Sequence, residues 1–133
     1  METKKKIVLI IEDEPPMLKI LSEALTESAF ETVQAANGAQ GLALALEKHP
    51  DLIIADLLMP QMDGMTMMKR LREDEWGKDV PIIVLTNVNP DTNSALQAII
   101  ANHPAYYFVK SDMKLETIVE KVKEVLSSPT KTN

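Results

Sequence analysis

Four short apolar runs punctuate the chain, and each stops at a polar or ionic residue. Lys6–Ile11 leads into Glu12 and Asp13, Leu52–Ala55 into Asp56, Ile82–Leu85 into Thr86, and Tyr107–Val109 into Lys110. The runs are rich in Ile and Val and continuous rather than alternating, the pattern of strands covered on both faces. Between them the period becomes helical. Met17, Ile20, Leu21, Ala24 and Leu25 recur at i, i+3, i+4, i+7 and i+8, and Leu115, Ile118, Val119, Val122 and Leu126 do much the same, so each segment predicts a helix with one face on the core. The remaining pattern predicts a strand at about 31–36, a helix over 38–48, a strand over 51–56, a helix over 64–75, a strand over 80–86, a helix over 90–102 and a strand over 105–110. The chain reads as a strand and a helix repeated five times.

Helix-end chemistry supports this order independently. Asn89-Pro90 suits an N-cap and first helical position, Asn37-Gly38 suits a turn into the second helix, and Ser111 or Asp112 can cap the last. Asp63-Gly64 reads as a turn closing the loop after Asp56. Right-handed crossovers are nearly obligatory between parallel neighbours, so five such units predict an α/β fold: a doubly wound parallel sheet with helices on both faces. The expected strand order is 2-1-3-4-5, although periodicity alone leaves other orders open.

In such a sheet the C-terminal strand ends lie side by side, and the crevice outside them is where ligands bind. One edge should therefore carry three acids, Glu12, Asp13 and Asp56, with the hydroxyl of Thr86 and the ammonium of Lys110. A nucleotide site would have glycines in the first loop to bring backbone N–H groups onto phosphate. Here the loop is Glu12-Asp13-Glu14-Pro15-Pro16, where two prolines delete donors and three carboxylates repel a bare phosphate. The pattern suits a hard cation. Mg²⁺ binds through one or two carboxylates and keeps waters that phosphate oxygens can replace, which makes Asp13 and Asp56 candidate direct ligands and Glu12 a ligand directly or through water. The plainer alternative is that Asp13 and Glu14 are favourable charges at a helix start and that Asp56 caps a turn. Polar groups at four strand ends favour the site. An Asp carboxylate can form an acyl phosphate, and phosphoryl transfer rests on positioning and charge neutralisation. Asp56 would then be the nucleophile, with Mg²⁺ and Lys110 neutralising phosphoryl oxygens and Thr86 donating a hydrogen bond.

Composition narrows the setting. The 133 residues suit one domain; there is no Cys, and two isolated His residues make no conventional zinc site. Neither a long apolar stretch nor a signal peptide is present, so a cytoplasmic protein away from membranes is expected. A net charge of −6 disfavours direct nucleic-acid binding, and any DNA-directed role should be indirect. Ser127–Asn133 is polar and contains Pro129, as in a flexible tail or the start of a linker.

The chain resembles the receiver domains of two-component response regulators (CheY-like) over roughly residues 5–126. The resemblance is carried by Glu12-Asp13, by Asp51-Leu-Ile-Ile-Ala-Asp56-Leu-Leu-Met-Pro60 with Met62-Asp63-Gly64, by Val80-Pro-Ile-Ile-Val-Leu-Thr86, and by Tyr107-Phe-Val-Lys110. It implies a flavodoxin-like fold and phosphoryl transfer to Asp56 from a sensor histidine kinase, a phosphotransfer protein or a small phosphodonor. It also implies that Thr86 and Tyr107 reorient together, that the surface of the fourth helix, fifth strand and fifth helix meets an output protein or effector domain, and that no separate substrate is turned over. The alternatives are a receiver-like interaction module that is never phosphorylated and a haloacid-dehalogenase-type phosphatase. The latter would place its nucleophile on the first strand.

Departures from the family accompany the matches. Asn87 stands where a small residue is usual, narrowing access to the site, and Asn102-His103-Pro104-Ala105 replaces a frequent Gly before the fifth strand, with Asn102 able to adopt a left-handed helix end. Ser111 replaces a Pro that often follows a cis peptide. A non-proline cis bond costs roughly 2.5–4 kcal/mol against about 0.5–1 for X–Pro, so the sequence leaves the Lys110–Ser111 geometry open. Leu58 and Val88 cannot orient a hydrolytic water, which with the bulk of Asn87 predicts a long-lived phosphorylated form unless both side chains point into packing. Met59, Met62, Met65, Met67 and Met68 could form an adaptable surface but read better as core filler. His49 is expected to meet the carbonyls or the dipole at a helix end, and Trp76 to be a packing residue.

Overall fold

The computed structural model describes residues 5–57, 62, 64–86, 101 and 103–127, with the backbone alone at Thr86. Its elements are β1 (Ile7–Ile11), α1 (Pro15–Glu27), β2 (Glu31–Ala35), α2 (Gly38–Lys48), β3 (Leu52–Asp56), α3 (Gly64–Glu73), β4 (Ile82–Thr86), β5 (Tyr106–Val109), a 3-10 turn at Lys110–Asp112 and a last helix, Leu115–Ser127. Five parallel strands lie in the order β2-β1-β3-β4-β5, as expected. The helix expected over 90–102 lies outside the described residues except for Ala101, which is helical.

Successive strand residues point to opposite faces, which is why runs without alternation suit a sheet covered on both sides. On one face Leu9, Ile11, Ile53, Ala55, Ile82 and Val84 pack against Ala45 of α2 and Met67, Met68 and Leu71 of α3. On the other, Val8, Ile10, Leu52, Ile54, Ile83 and Leu85 meet Leu21 and Leu25 of α1 with Ile118 and Val122 of the last helix. All five residues of β3 are buried, so the central strand sits where burial is most complete. Each large aliphatic side chain so buried stabilises the fold by roughly 1.5–3 kcal/mol before entropy is counted. Met67 and Met68 are core, while Met62 and Met65 pack against it, in keeping with the core-filler reading; Met59 is outside the described residues.

Local signals locate most boundaries. Asn37 caps α2, its side chain accepting from Gln40 N at 2.8 Å. Gly64 opens α3 so close to β3 that a Cβ would overlap the Asp56 carbonyl, and its N–H bonds Leu57 O at 2.9 Å. One expectation is corrected. Ser111 and Asp112 do not cap the last helix: they belong to the 3-10 turn, and the helix begins only at Leu115. The His49 imidazole lies flat on Trp76 (4.4 Å between centroids, 8° between planes), at the C-cap of α2 where its left-handed backbone (φ 47°) turns the chain. The left-handed residue described before β5 is His103 (φ 53°), Asn102 lying outside the described residues. No cis peptide occurs among the described residues, so Lys110–Ser111 is trans.

Candidate functional site

Register places the acids. Ile11 pairs with Ala55 and Asp56 with Leu85, so Glu12, the residue after β1, comes level with the end of β3. Thr86 pairs with Val109 by backbone register, which sets Lys110 at the same edge. Glu12 and Asp56 are both buried, at 1% and 4% relative exposure, whereas Asp13 is half-buried. One oxygen from each of Glu12, Asp13 and Asp56 lies within 4.8 Å of the others.

Lys110 crosses this group from the opposite side. Its Nζ lies 2.9 Å from Glu12 Oε1, 2.9 Å from Asp56 Oδ2 and 2.8 Å from Glu14 Oε1, with only 6% of its side chain exposed. Buried charges persist only when paired and hydrogen-bonded, and here one ammonium serves three carboxylates. Burial alone would lower the Lys110 pKa. Hydrogen bonds to Glu12, Glu14 and Asp56 outweigh it and raise the pKa well above the ordinary lysine value. Burial instead pushes the Glu12 carboxyl up, against the opposing pull of Lys110 and of the Glu14 N–H, which donates to Glu12 Oε2 at 3.0 Å.

The donor set is three hard carboxylate oxygen sources at ligating separation, which fits a hard divalent ion such as Mg²⁺. Burial resists ionisation of Glu12 even with Lys110 beside it, and a divalent cation would add positive charge that favours the carboxylate. Glu12, Asp13, Asp56 and Lys110 are thus brought together at one strand edge. Thr86 ends β4 at that edge. Tyr107 is half-buried against the α2–α3 side of the core, and burial raises its pKa. Leu58, Asn87 and Val88, and with them the expectation of a long phosphoryl lifetime, lie outside the described residues. Sequence reasoning missed that Glu14 joins Lys110. The available signal was Pro15-Pro16, which leaves a carboxylate at the helix start with little backbone N–H to bind.

Comparison with known proteins gives matches over most of the chain. The family model described as the response regulator receiver domain matches residues 8–123. The DNA-binding dual master transcriptional regulator RpaA of Synechocystis is 42% identical over 79 residues, which cover 59% of this chain and 33% of RpaA. The polar-differentiation response regulator DivK of Brucella ovis is 36% identical over 81 residues, covering 61% of this chain and 66% of DivK. The chain thus spans between a third and two thirds of these curated relatives. Among solved structures, chemotaxis protein CheY4 of Vibrio cholerae superposes with a TM-score of 0.82 at 28% identity, over 92% of this chain and 99% of that one.

Proposed function

Because the chain belongs to the response regulator receiver domain family, we propose that it is a phosphoacceptor whose Asp56 takes a phosphoryl group in a Mg²⁺-dependent reaction. One observation carries the reading: a buried Asp56 carboxylate 2.9 Å from Lys110 Nζ, with Glu12 and Asp13 oxygens within 4.8 Å. An Asp56 oxygen attacks phosphorus, the bond from phosphorus to the donor's nitrogen or oxygen breaks, and the leaving group keeps the electron pair and takes a proton. Lys110 neutralises charge on the transferred oxygens, and Thr86 supplies a hydroxyl donor at the same edge. Glu12, Asp13 and Asp56 would hold Mg²⁺, which would supply positive charge to offset the repulsion between carboxylate and phosphoryl oxygens. Water attack on the acyl phosphate returns the carboxylate and inorganic phosphate, so no separate substrate is turned over.

The phosphodonor in this reading is a sensor histidine kinase, a phosphotransfer protein or a small phosphodonor. Thr86 and Tyr107 would form the switch, and the surface of the 90–102 segment, β5 and the last helix the output face. RpaA is described as DNA-binding. With a net charge of −6 here, any DNA-directed output passes instead through a partner or effector domain. The receiver unit is taken as 5–126, with 127–133 as tail or linker start. No helix among the described residues is long and apolar enough to cross a membrane, and we place the protein in the cytoplasm.

Intact-protein mass after incubation with acetyl phosphate and Mg²⁺ tests the proposal. One added phosphoryl group is expected, absent in Asp56→Asn and absent without the metal. Undiminished labelling of Asp56→Asn would put the nucleophile elsewhere, and no labelling of the native chain by any donor would favour an unphosphorylated interaction module.

A further inference from the structure

An ammonium has three N–H bonds, and all three of those on Lys110 face carboxylates. Glu12, Glu14 and Asp56 lie 2.8–3.0 Å from Nζ, so an arriving phosphoryl oxygen finds no donor of Lys110 uncommitted. Two of these partners are fixed in place. Asp56 is buried at the end of β3, and Glu12 is buried and further held by the Glu14 N–H. Glu14 differs from both: its side chain is 58% exposed, and its contact with Lys110 closes the cluster from the solvent side.

The sequence explains why Glu14 reaches that far. It occupies the N-cap of α1, where a carboxylate ordinarily accepts from the N–H of the second or third helical residue. Pro15 and Pro16 fill the first two positions and neither has an N–H, so of those two donors only the Met17 N–H remains. Glu14 makes no side-chain cap bond, and its carboxylate turns to Lys110 instead. Proline pairs also hold the backbone stiffly at this point, so the carboxylate is presented to the ammonium at reduced entropic cost.

We propose that Glu14 is a displaceable anionic latch on Lys110, which the incoming phosphoryl group must replace. This rests on the phosphoacceptor reading of Asp56 and adds to it a residue that sets how readily the site accepts an anion. Glu14 is a positioning residue: it acts through Lys110. As long as it holds the ammonium, a phosphoryl oxygen competes with a tethered carboxylate for the same N–H. Once displaced, Glu14 returns to solvent, where its exposed position costs little.

Binding of beryllofluoride, a tetrahedral phosphoryl analogue that attaches to a carboxylate oxygen, provides the test by calorimetry at saturating Mg²⁺. Glu14→Ala and Glu14→Gln are each expected to bind roughly two- to fivefold more tightly than the native protein, the range of an exposed ion pair. Asp112→Asn removes an exposed negative charge two residues from Lys110 and controls for general electrostatics, so its affinity should change far less. Thermal midpoints of all three variants should stay close to native, since Glu14 makes no helix cap bond. Unaltered or weaker binding by Glu14→Ala, or an equal gain in Asp112→Asn, overturns the latch alone. If the native protein binds no beryllofluoride and Asp56→Asn behaves identically, the phosphoacceptor reading fails and the latch with it.

Discussion

Lys110 and Arg72 sit at opposite ends of the same sheet, and each takes a positive charge out of bulk water, but their partners differ in kind. Lys110 at the C-terminal edge is surrounded by carboxylates, and its pKa is raised above the ordinary value despite burial. Arg72, near the close of α3, donates to backbone carbonyls: to Gly77 O at 2.8 Å, Val80 O at 2.7 Å and His103 O at 3.0 Å. Burial lowers its pKa, opposed by the charge of Asp79. Carbonyls are neutral, bound by their chain and cannot be exchanged, so Arg72 works as a brace joining the turn after α3 to the approach to β5. Carboxylates can trade an ammonium for a metal or another cationic partner. The same fold therefore uses one buried cation to fix geometry and the other to keep a site exchangeable.

The sharpest way to break this comparison is to remove each cation and add Mg²⁺. Arg72→Met keeps the length of apolar stem but leaves three carbonyls without their charged donor, and Val80 and Gly77 are buried. A loss of about 1.5–3 kcal/mol in urea unfolding is expected, the range for hydrogen bonds to charged groups. Millimolar Mg²⁺ should leave the difference between native and variant midpoints intact. Recovery by the metal would mean that the brace is coupled to the acidic edge.

Lys110→Met should cost less and respond in the opposite way. Breaking a fully buried pair costs about 3–5 kcal/mol, but this cluster opens to solvent at Asp13 and Glu14, so roughly 1–3 kcal/mol is expected without metal. Mg²⁺ supplies the missing positive charge and stabilises the native state by mass action. Most of the loss should return at millimolar Mg²⁺, and the return should be smaller when Asp13→Asn is added. A Lys110→Met midpoint indifferent to Mg²⁺ would argue that the three carboxylates hold no cation.

These two regions were unequally legible in the sequence. The acidic edge was readable because strand ends in a parallel sheet are brought together by topology alone, so Glu12, Asp13, Asp56, Thr86 and Lys110 could be assigned to one edge without any side-chain detail. The Arg72 brace was not. The acceptors it joins are backbone carbonyls, which every residue carries, and nothing in the identity of Gly77, Val80 or His103 marks them as acceptors. The His49–Trp76 stack was hidden for a related reason: it depends on a left-handed turn at a non-glycine residue, which propensity disfavours. Helix ends fell between these cases. Asn37 announced its cap chemically, but the 3-10 turn at Lys110–Asp112 displaced the start of the last helix past two good capping residues.

The smallest effect separates ion pairing at the site from hydrogen bonding at the surface. Tyr106 on β5 donates its hydroxyl to Glu124 Oε1 at 2.6 Å, and Lys121 lies 4.9 Å from the centre of the same ring. The Tyr106 hydrogen bond, followed by Lys121, holds the Glu124 carboxyl below its ordinary 4.5, while the same bond to Glu124 holds the Tyr106 phenol above its ordinary 10.0. A depressed carboxylate contributes stability that is present above the unfolded value and lost as pH falls through the folded one. A phenol raised by donating its proton contributes below its unfolded value and loses that contribution as pH rises through the folded one. The pair should therefore support the fold fully between about pH 4.5 and 10 and fade on both sides. Tyr106→Phe keeps the ring and removes the bond. Its melting midpoint should sit slightly below native across that window and converge with native at both extremes, with no dependence on Mg²⁺. A gap that persists unchanged into acid and alkali would assign the loss to ring packing, not to the hydrogen bond.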